Sequence, residues 1–300
     1  MKRSQILIRY GEIGLKAEYT RRQFTRQLKN NLMYAFSVDN ISVKIEMMRG
    51  RFFIHTADIE RSIQVVKKIF GIVSFSPVWE STSEVYVLTK DALELMSSRL
   101  DEKTSFALRV RRSGNHNFTS QEAAIQVGKA VVDTYHSPVD FENPDVELFI
   151  EIRDDKSYLF FDKIDGVGGL PYATQGNICC FVQTKYDILA SWYLMKRGCN
   201  ITYYISDRKI KGIIKEFLKK WYIKQKPKTI IESADDFTDV NTESITNSYQ
   251  AICSGTTFSD EKQDSIHMMH QYKNRYLLPV LTPLISMDRI EIDDLLKKIV

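Results

Sequence analysis

Ile6, Ile8 and Tyr10 fall on one side of a period-two pattern and Leu7 and Arg9 on the other, which predicts a strand ending in the turn Gly11-Glu12-Ile13-Gly14. Both glycines of that turn are free to take positive φ. From Thr20 to about Phe36 the period changes. Phe24, Leu28, Leu32 and Ala35 recur at three- and four-residue spacing, with Arg21, Arg22, Arg26 and Lys29 on other faces, which predicts a basic amphipathic helix. Ile41 to Met47 and Phe52 to His55 read as two strands around the turn Arg49-Gly50-Arg51. Asp58 is placed to cap a helix running to about Phe70, stopped by Gly71 ahead of a strand from Ile72 to Trp79. A helix near Asp91 to Leu100 leads into the strand Phe106 to Arg112. The loop Ser113 to Phe118 opens a helix from Thr119 to Tyr135, where Thr119 and Glu122 have the spacing of a capping box. Val146 to Ile152 and Tyr158 to Phe161 form a hairpin across Asp154-Asp155.

Gly166-Val167-Gly168-Gly169-Leu170-Pro171 is the sharpest break in the pattern and marks a hinge or boundary. Beyond it, apolar runs alternate with helical periods. Ile178 to Val182 precedes a helix ending at Gly198, and Ile201 to Ile205 precedes one around Ile213 to Trp221. Thr229 to Glu232, Ala251 to Cys253 and Leu277 to Leu281 are further buried strands. Such alternation predicts a doubly wound parallel sheet, whose ligands sit outside the C-terminal strand ends. The expected architecture is therefore multidomain, α+β followed by α/β, with divisions at 1–57, 58–168 and 169–300.

Three hundred residues at 43% hydrophobic and 27% charged describe a globular chain with two or three cores. Met1-Lys2-Arg3 runs straight into a strand pattern without an apolar leader, and no stretch reaches the roughly 18 to 20 apolar residues that span a bilayer. A cytoplasmic chain with no membrane partner is expected. Cys179, Cys180, Cys199 and Cys253 show neither a disulfide framework nor a C-x-x-C pair, so buried thiols and no metal are expected. Net charge is only +4, but residues 1–60 hold 11 Lys and Arg against 6 acids, a local excess that a polyanion feels.

Ile8-Arg9-Tyr10-Gly11-Glu12-Ile13-Gly14-Leu15-Lys16 resembles the opening of the ThiI-type tRNA 4-thiouridine synthetases, which begin with a ferredoxin-like domain. Phe106 to Arg112, Asn143-Pro144-Asp145-Val146, Glu151 to Asp154 and Gly168 to Pro171 resemble a THUMP domain running into that family's last domain. Tyr193 to Gly198, Leu278 to Leu281 and Pro283 to Asp288 resemble its C-terminal, Rossmann-like ATP-pyrophosphatase domain of the adenine nucleotide alpha hydrolase type. The resemblance implies that the first two domains grip the acceptor stem and 3′ end of tRNA and that the third adenylylates a uridine with ATP and Mg. A cysteine persulfide then supplies sulfur; a link to thiamine thiazole synthesis and a homodimer are also implied.

The family's first strand in that domain ends in Ser-Gly-Gly-x-Asp-Ser, where bare backbone lets amides approach a pyrophosphate at a helix N-terminus. Here the segment reads Gln183-Thr184-Lys185-Tyr186-Asp187-Ile188, without either glycine or either serine. If the altered loop is active, Gln183, Thr184, Lys185 and Asp187 hold the nucleotide, with Asp187 and Cys253 the catalytic candidates. Otherwise there is no cofactor and adenylylation is lost. No cysteine follows Cys253 in these 300 residues, so the family's persulfide segment has no match. Three readings stand open: a tRNA-binding relative that assists a separate active sulfurtransferase, a sulfurtransferase using the altered loop and an external sulfur donor, and a non-catalytic interaction protein.

The RNA-facing candidates are Tyr10, Lys16, Arg21, Arg22, Arg49 and Arg51 in the first domain. In the second they are Arg109, Arg111, Arg112, Asn115, His116 and Lys129, with Phe118 offered for base stacking. The competing reading is that Lys and Arg at strand ends merely guard sheet edges. A loop histidine such as His116 is by itself more often solvated than functional.

Overall fold

The structure is a computed structural model and describes residues 5–48, 50–205, 208–225, 228–229, 241–258 and 262–300; the side chains of 208, 228–229, 262–266 and 268 are left aside. The candidate Arg49 and the end of the strand expected at Thr229 to Glu232 lie outside the described residues. The chain forms two compact units that interleave in sequence. The first gathers Met1–Arg9, Ile41–Gln64 and Ser74–Asp165, the second Tyr10–Asn40, Val65–Val73 and Gly166–Val300.

The first unit is built on a sheet of eight strands: β1 (Gln5–Tyr10), β2 (Val43–Met48), β3 (Arg51–Thr56), β4 (Ile72–Thr82), β5 (Phe106–Ser113), β6 (Val146–Arg153), β7 (Lys156–Phe160) and β8 (Ile164–Asp165). Their order is β2-β3-β1-β4-β7-β6-β5, with β8 beside β4. β1 lies inside the sheet, and Ile6, Leu7 and Ile8 are all fully buried, as a strand covered on both faces must be. β5 and β6 run parallel and β6 and β7 antiparallel, so Arg109 stands beside Phe149 and Phe149 beside Phe160.

Two helices of this unit, α3 (Val85–Met96) and α4 (Ser120–Tyr135), bury Leu88, Ala92, Val127 and Val131 in one core with Leu148, Ile150 and Ile152. The capping box expected at Thr119 and Glu122 is formed. Two helix ends differ from expectation. α2 (Ile59–Val66), with the Asp58 carboxylate accepting the Arg61 amide, stops a turn before Phe70. α3 begins at Val85 and not near Asp91, because Val85 and Leu88 extend the apolar face one turn upstream.

In the second unit five parallel strands, β9 (Asn177–Val182), β10 (Asn200–Ile205), β11 (Lys228–Thr229), β12 (Ala251–Cys253) and β13 (Val280–Leu281), run in the order β11-β10-β9-β12-β13. Alternation along β9 sorts the core. Ile178, Cys180 and Val182 face one cluster and Cys179 and Phe181 another. The helices are α5 (Lys185–Lys196), α6 (Arg208–Lys220), α7 (Thr242–Ser248), α8 (Lys262–Tyr276) and α9 (Arg289–Ile299), with α1 (Glu18–Val38) joining this unit from the N-terminal segment. The strand expected from Leu277 is shorter, since Leu277 itself turns through φ +52°. Gly11 sits at φ −97°, not at positive φ; a Cβ there would stand 2.8 Å from Val73 Cγ2, so the glycine supplies room and not handedness. No helix among the described residues is long and apolar enough to cross a membrane.

Candidate functional site

A cavity of about 560 Å³ opens in the first unit. Period-two alternation sends Arg109 and Arg111 of β5 to the sheet face opposite Leu108 and Val110, which pack on the α3 and α4 core. Arg9 and Lys163 join them, and Glu151 is the one acid among the lining residues. The rings of Phe149 and Phe160 stack at 5.1 Å and 4°, and the Arg9 guanidinium lies 4.6 Å from the Phe160 centroid. Ser120, Gln121 and Ala124 bring the first turn of α4 to the rim, where the helix dipole is positive.

Four basic side chains and one acid line this cavity. Glu151 meets three guanidiniums, those of Arg153 at 2.7 Å, Arg51 at 3.0 Å and Arg9 at 3.8 Å. The four side chains are only 8 to 21% exposed. Burial, opposed by Glu151 and reinforced by Arg51, Arg111 and Arg153, lowers the Arg9 pKa to about 10. An excess of buried positive charge is costly until an anion arrives.

The structure sorts the sequence candidates into groups. Arg109 and Arg111 share the cavity, and Arg51 reaches it through Glu151. Arg109 is also tied to the Glu147 carboxylate and donates to the Phe141 carbonyl at 2.8 Å, so it is held in place. Arg112 stands near the end of β5, and Asn115, His116 and Phe118 occupy the loop that follows. There His116 is bound rather than solvated: Nε2–H donates to the Asp154 carbonyl at 2.7 Å and Nδ1 accepts from Arg112 at 3.2 Å. Phe118, expected as a stacking platform, is half-buried against the helix core and lies 5.2 Å from the His116 ring. Lys129 is exposed on α4. Tyr10, Lys16, Arg21 and Arg22 belong to the second unit, where Arg22 pairs with Glu18 on α1.

The loop between β9 and α5 is of another kind. Thr184 caps α5, its hydroxyl accepting the Tyr186 amide at 3.2 Å. The Asp187 carboxylate turns back and accepts the amides of Thr184 at 2.9 Å and Gln183 at 3.1 Å, and on its other oxygen that of Gly255 at 2.8 Å. Burial raises the Asp187 pKa, against the lowering effect of these three N–H groups. Gly255 is pressed so close that a Cβ there would stand 2.5 Å from the Asp187 nitrogen. The loop amides a pyrophosphate would use are thus held by the protein's own carboxylate, and the Gly255 backbone packs directly on Tyr186 and Asp187. These residues do not fit the phosphates of a nucleotide. Cys253 and Cys180 are neighbours across β12 and β9, both buried; burial and the adjoining Cys253 push the Cys180 thiol pKa well up. A buried thiol of this kind is inert.

Comparison with known proteins follows the same division. The ThiI ferredoxin-like domain matches residues 5–76 and the THUMP domain residues 84–162. The chain belongs with the ThiI-like THUMP proteins. It is 41% identical over 204 residues to a probable tRNA sulfurtransferase of Methanothermobacter thermautotrophicus, covering 65% of this chain and 51% of that one. The match to the probable tRNA sulfurtransferase of Methanocaldococcus jannaschii is 28% identical and covers 100% of this chain and 88% of the relative. The chain therefore spans about half the length of the first of these relatives and 88% of the second. Among solved structures, PH1313 from Pyrococcus horikoshii Ot3 aligns with a TM-score of 0.82 at 26% identity, over 98% of this chain and 99% of that one. A 4-thiouridine synthetase, solved as an RNA complex with bound ATP, aligns at 0.76 and 21% identity, over 99% and 85%, and shares the fold. The ferredoxin-like domain, the THUMP domain and the C-terminal parallel sheet all have counterparts in that ThiI-type architecture.

Within this ThiI-like frame, sequence reasoning passed over Arg9, Lys163, Glu151 and the Phe149–Phe160 pair. One signal was available: Arg109-x-Arg111 and Phe149-x-Glu151 both have period two, which puts each pair on one sheet face. Which strands lie side by side had no such signal.

Proposed function

We propose that this ThiI-like chain binds the acceptor region of tRNA through its first two domains and does not itself adenylylate RNA. The observation that carries the reading is the cavity lined by Arg9, Arg109, Arg111 and Lys163 against one acid, Glu151, beside the stacked Phe149 and Phe160. Arginines suit phosphates, an aromatic face suits an unpaired base, and Ser120 and Gln121 suit base edges or the ribose 2′-hydroxyl. A single-stranded RNA end combines all three. The relatives named tRNA sulfurtransferases and the RNA complex of the 4-thiouridine synthetase support tRNA as the RNA. Loss of the chemical step is supported by the Asp187 carboxylate occupying the loop amides. Division into domains at 1–57, 58–168 and 169–300 is part of the same proposal, as is the contribution of Tyr10, Lys16, Arg21 and Arg22 to the RNA surface.

Electrophoretic mobility shift with full-length tRNA and with an acceptor-stem minihelix tests the binding. Six phosphate contacts predict a log–log salt slope of about −4 to −5. R111E/K163E should lower affinity at least tenfold; equal, weak binding of wild type and variant to any polyanion would falsify the site. Calorimetric titration with Mg-ATP, with and without tRNA, should give no saturable heat. Formation of AMP and 4-thiouridine from ATP, tRNA and sulfide would overturn the second half of the reading.

A further inference from the structure

The second unit carries a basic groove lined by none of the site residues described above. On α6, Ile214, Phe217 and Leu218 turn into the core, while Lys211, Lys215 and Lys219 follow one face at four-residue spacing. That is one ammonium about every 6 Å. Like charges so spaced repel, and among the described residues none of the three has an ion-pair partner. They share a cavity of about 460 Å³ with Tyr34 of α1 and Tyr222.

Tyr34 and Tyr222 also line an adjoining chamber of about 430 Å³, whose walls include Trp221, Asn30, Asn200 and Lys224. Each tyrosine ring has an ammonium near its face, Lys224 at 5.9 Å from Tyr34 and Lys68 at 5.7 Å from Tyr222. Tyr222 (φ +53°) and Ala173 (φ +65°), both in the chamber wall, hold the left-handed conformation that ordinary residues avoid. Tyr222 is further fixed by donating its hydroxyl to Asp39 Oδ2 at 2.6 Å. The chamber sits at the start of β10, where Asn200 accepts the Tyr172 hydroxyl at 2.8 Å. This is the N-terminal end of the parallel strands, opposite the loops at 183–187 and 254–257. It is thus not the crevice in which doubly wound sheets hold nucleotides.

We propose that this groove is a second nucleic-acid contact, in which the α6 lysine row holds the phosphates of an RNA strand and the chamber takes one unpaired nucleotide. A row of unpaired lysines is matched by a row of phosphates. The chamber has the volume of a small-ligand site, aromatic walls for a base and amides for its edges. The same nucleoside-phosphate chemistry is offered by a free mononucleotide, and the test separates the two sources. The RNA part rests on the reading given under Proposed function.

Binding of an unmodified tRNA transcript is measured against salt for wild type, K211Q/K215Q/K219Q, K211R/K215R/K219R and R111E/K163E. Trp221 fluorescence is followed on adding RNA or UMP, with W221F as the reference. The glutamine triple should bind more weakly, with a slope shallower by roughly 2 to 3; the arginine triple should restore it, and RNA should change the Trp221 signal. A glutamine triple that binds as wild type does, while R111E/K163E fails, removes this proposal and leaves the first site standing. No RNA binding by wild type removes both. Saturable UMP quenching of Trp221 without any response to RNA assigns the chamber to a free nucleotide and overturns the RNA contact.

Discussion

The cavity around Glu151 and the loop around Asp187 both gather hydrogen-bond donors where an anion could sit, yet they are opposites in charge balance. At the first, three guanidiniums crowd one carboxylate, and burial outweighs that carboxylate enough to bring Arg9 down to about 10. At the second, one carboxylate takes up the three backbone N–H groups of Gln183, Thr184 and Gly255. Counting donors does not find an anion site; what remains after the protein has partnered itself does. A helix N-terminus lies beside both, so the dipole alone cannot separate them.

The largest effect should come from Glu151→Gln. Removing Glu151 takes away a buried carboxylate that Arg9, Arg51 and Arg153 all meet, a loss of about 3 to 5 kcal/mol of folding stability. RNA affinity should move the other way, because the surplus of charge grows. Urea denaturation and RNA titration of one preparation read both. Arg9 gives the same sign: a base whose folded pKa is depressed to about 10 stays charged at pH 7 at a cost to the fold, and a bound anion offsets that cost. Saturating RNA should therefore raise the melting temperature of wild type. A Glu151→Gln protein of unchanged stability and weaker RNA binding would sink the charge-surplus account.

Asp187→Ala comes next, at about 1 to 3 kcal/mol, since it strands the buried amide of Gly255 and removes the acceptor of those of Gln183 and Thr184. Its pH dependence is specific. The folded pKa of Asp187 is raised, so its contribution is fully present below the unfolded value of about 3.9 and is lost as pH rises through the folded one. The stability gap between wild type and variant should be widest near pH 4 and narrow toward neutrality. A gap that widens with pH would mean that the three N–H bonds, and not burial, govern the carboxylate.

Much of this contrast was legible in the sequence, on one side only. The helix caps at Thr119 and Thr184 lie within four residues of their partners, and missing glycines are visible in any alignment with Ser-Gly-Gly-x-Asp-Ser. The parallel sheet followed from uninterrupted apolar runs such as Ile178 to Val182. Arg9, Glu151 and Phe160 could not be read together, because they meet only through the neighbour order β1-β4-β7-β6, which no local period encodes. Gly255 was invisible for the same reason: its amide serves Asp187 across 68 residues. Boundaries failed by a turn where extra apolar residues lengthened a face, as Val85 and Leu88 did for α3.

The smallest effect tests how firmly the loop after β5 is held. Gly114 has φ +100°, and a Cβ there would stand 2.5 Å from Asp154 Oδ1, while Asp154 itself turns through φ +50°. His116 and Arg112 are positioned through that same turn by the Asp154 carbonyl. Gly114→Ala must both strain the backbone and displace the hairpin tip, at about 1 to 2 kcal/mol, with RNA affinity falling less than tenfold because the Glu151 cluster is untouched. Gly128→Ala is the control. Gly128 is helical, and its added methyl would meet Leu108 Cδ1 at an ordinary 3.6 Å, so it should hold or gain about 0.5 to 1 kcal/mol. Equal stabilities for the two variants, by thermal melts in one buffer, would show that the loop bends freely and that its side chains reach RNA only by chance of position, leaving the rigid cavity as the whole of the first unit's binding site.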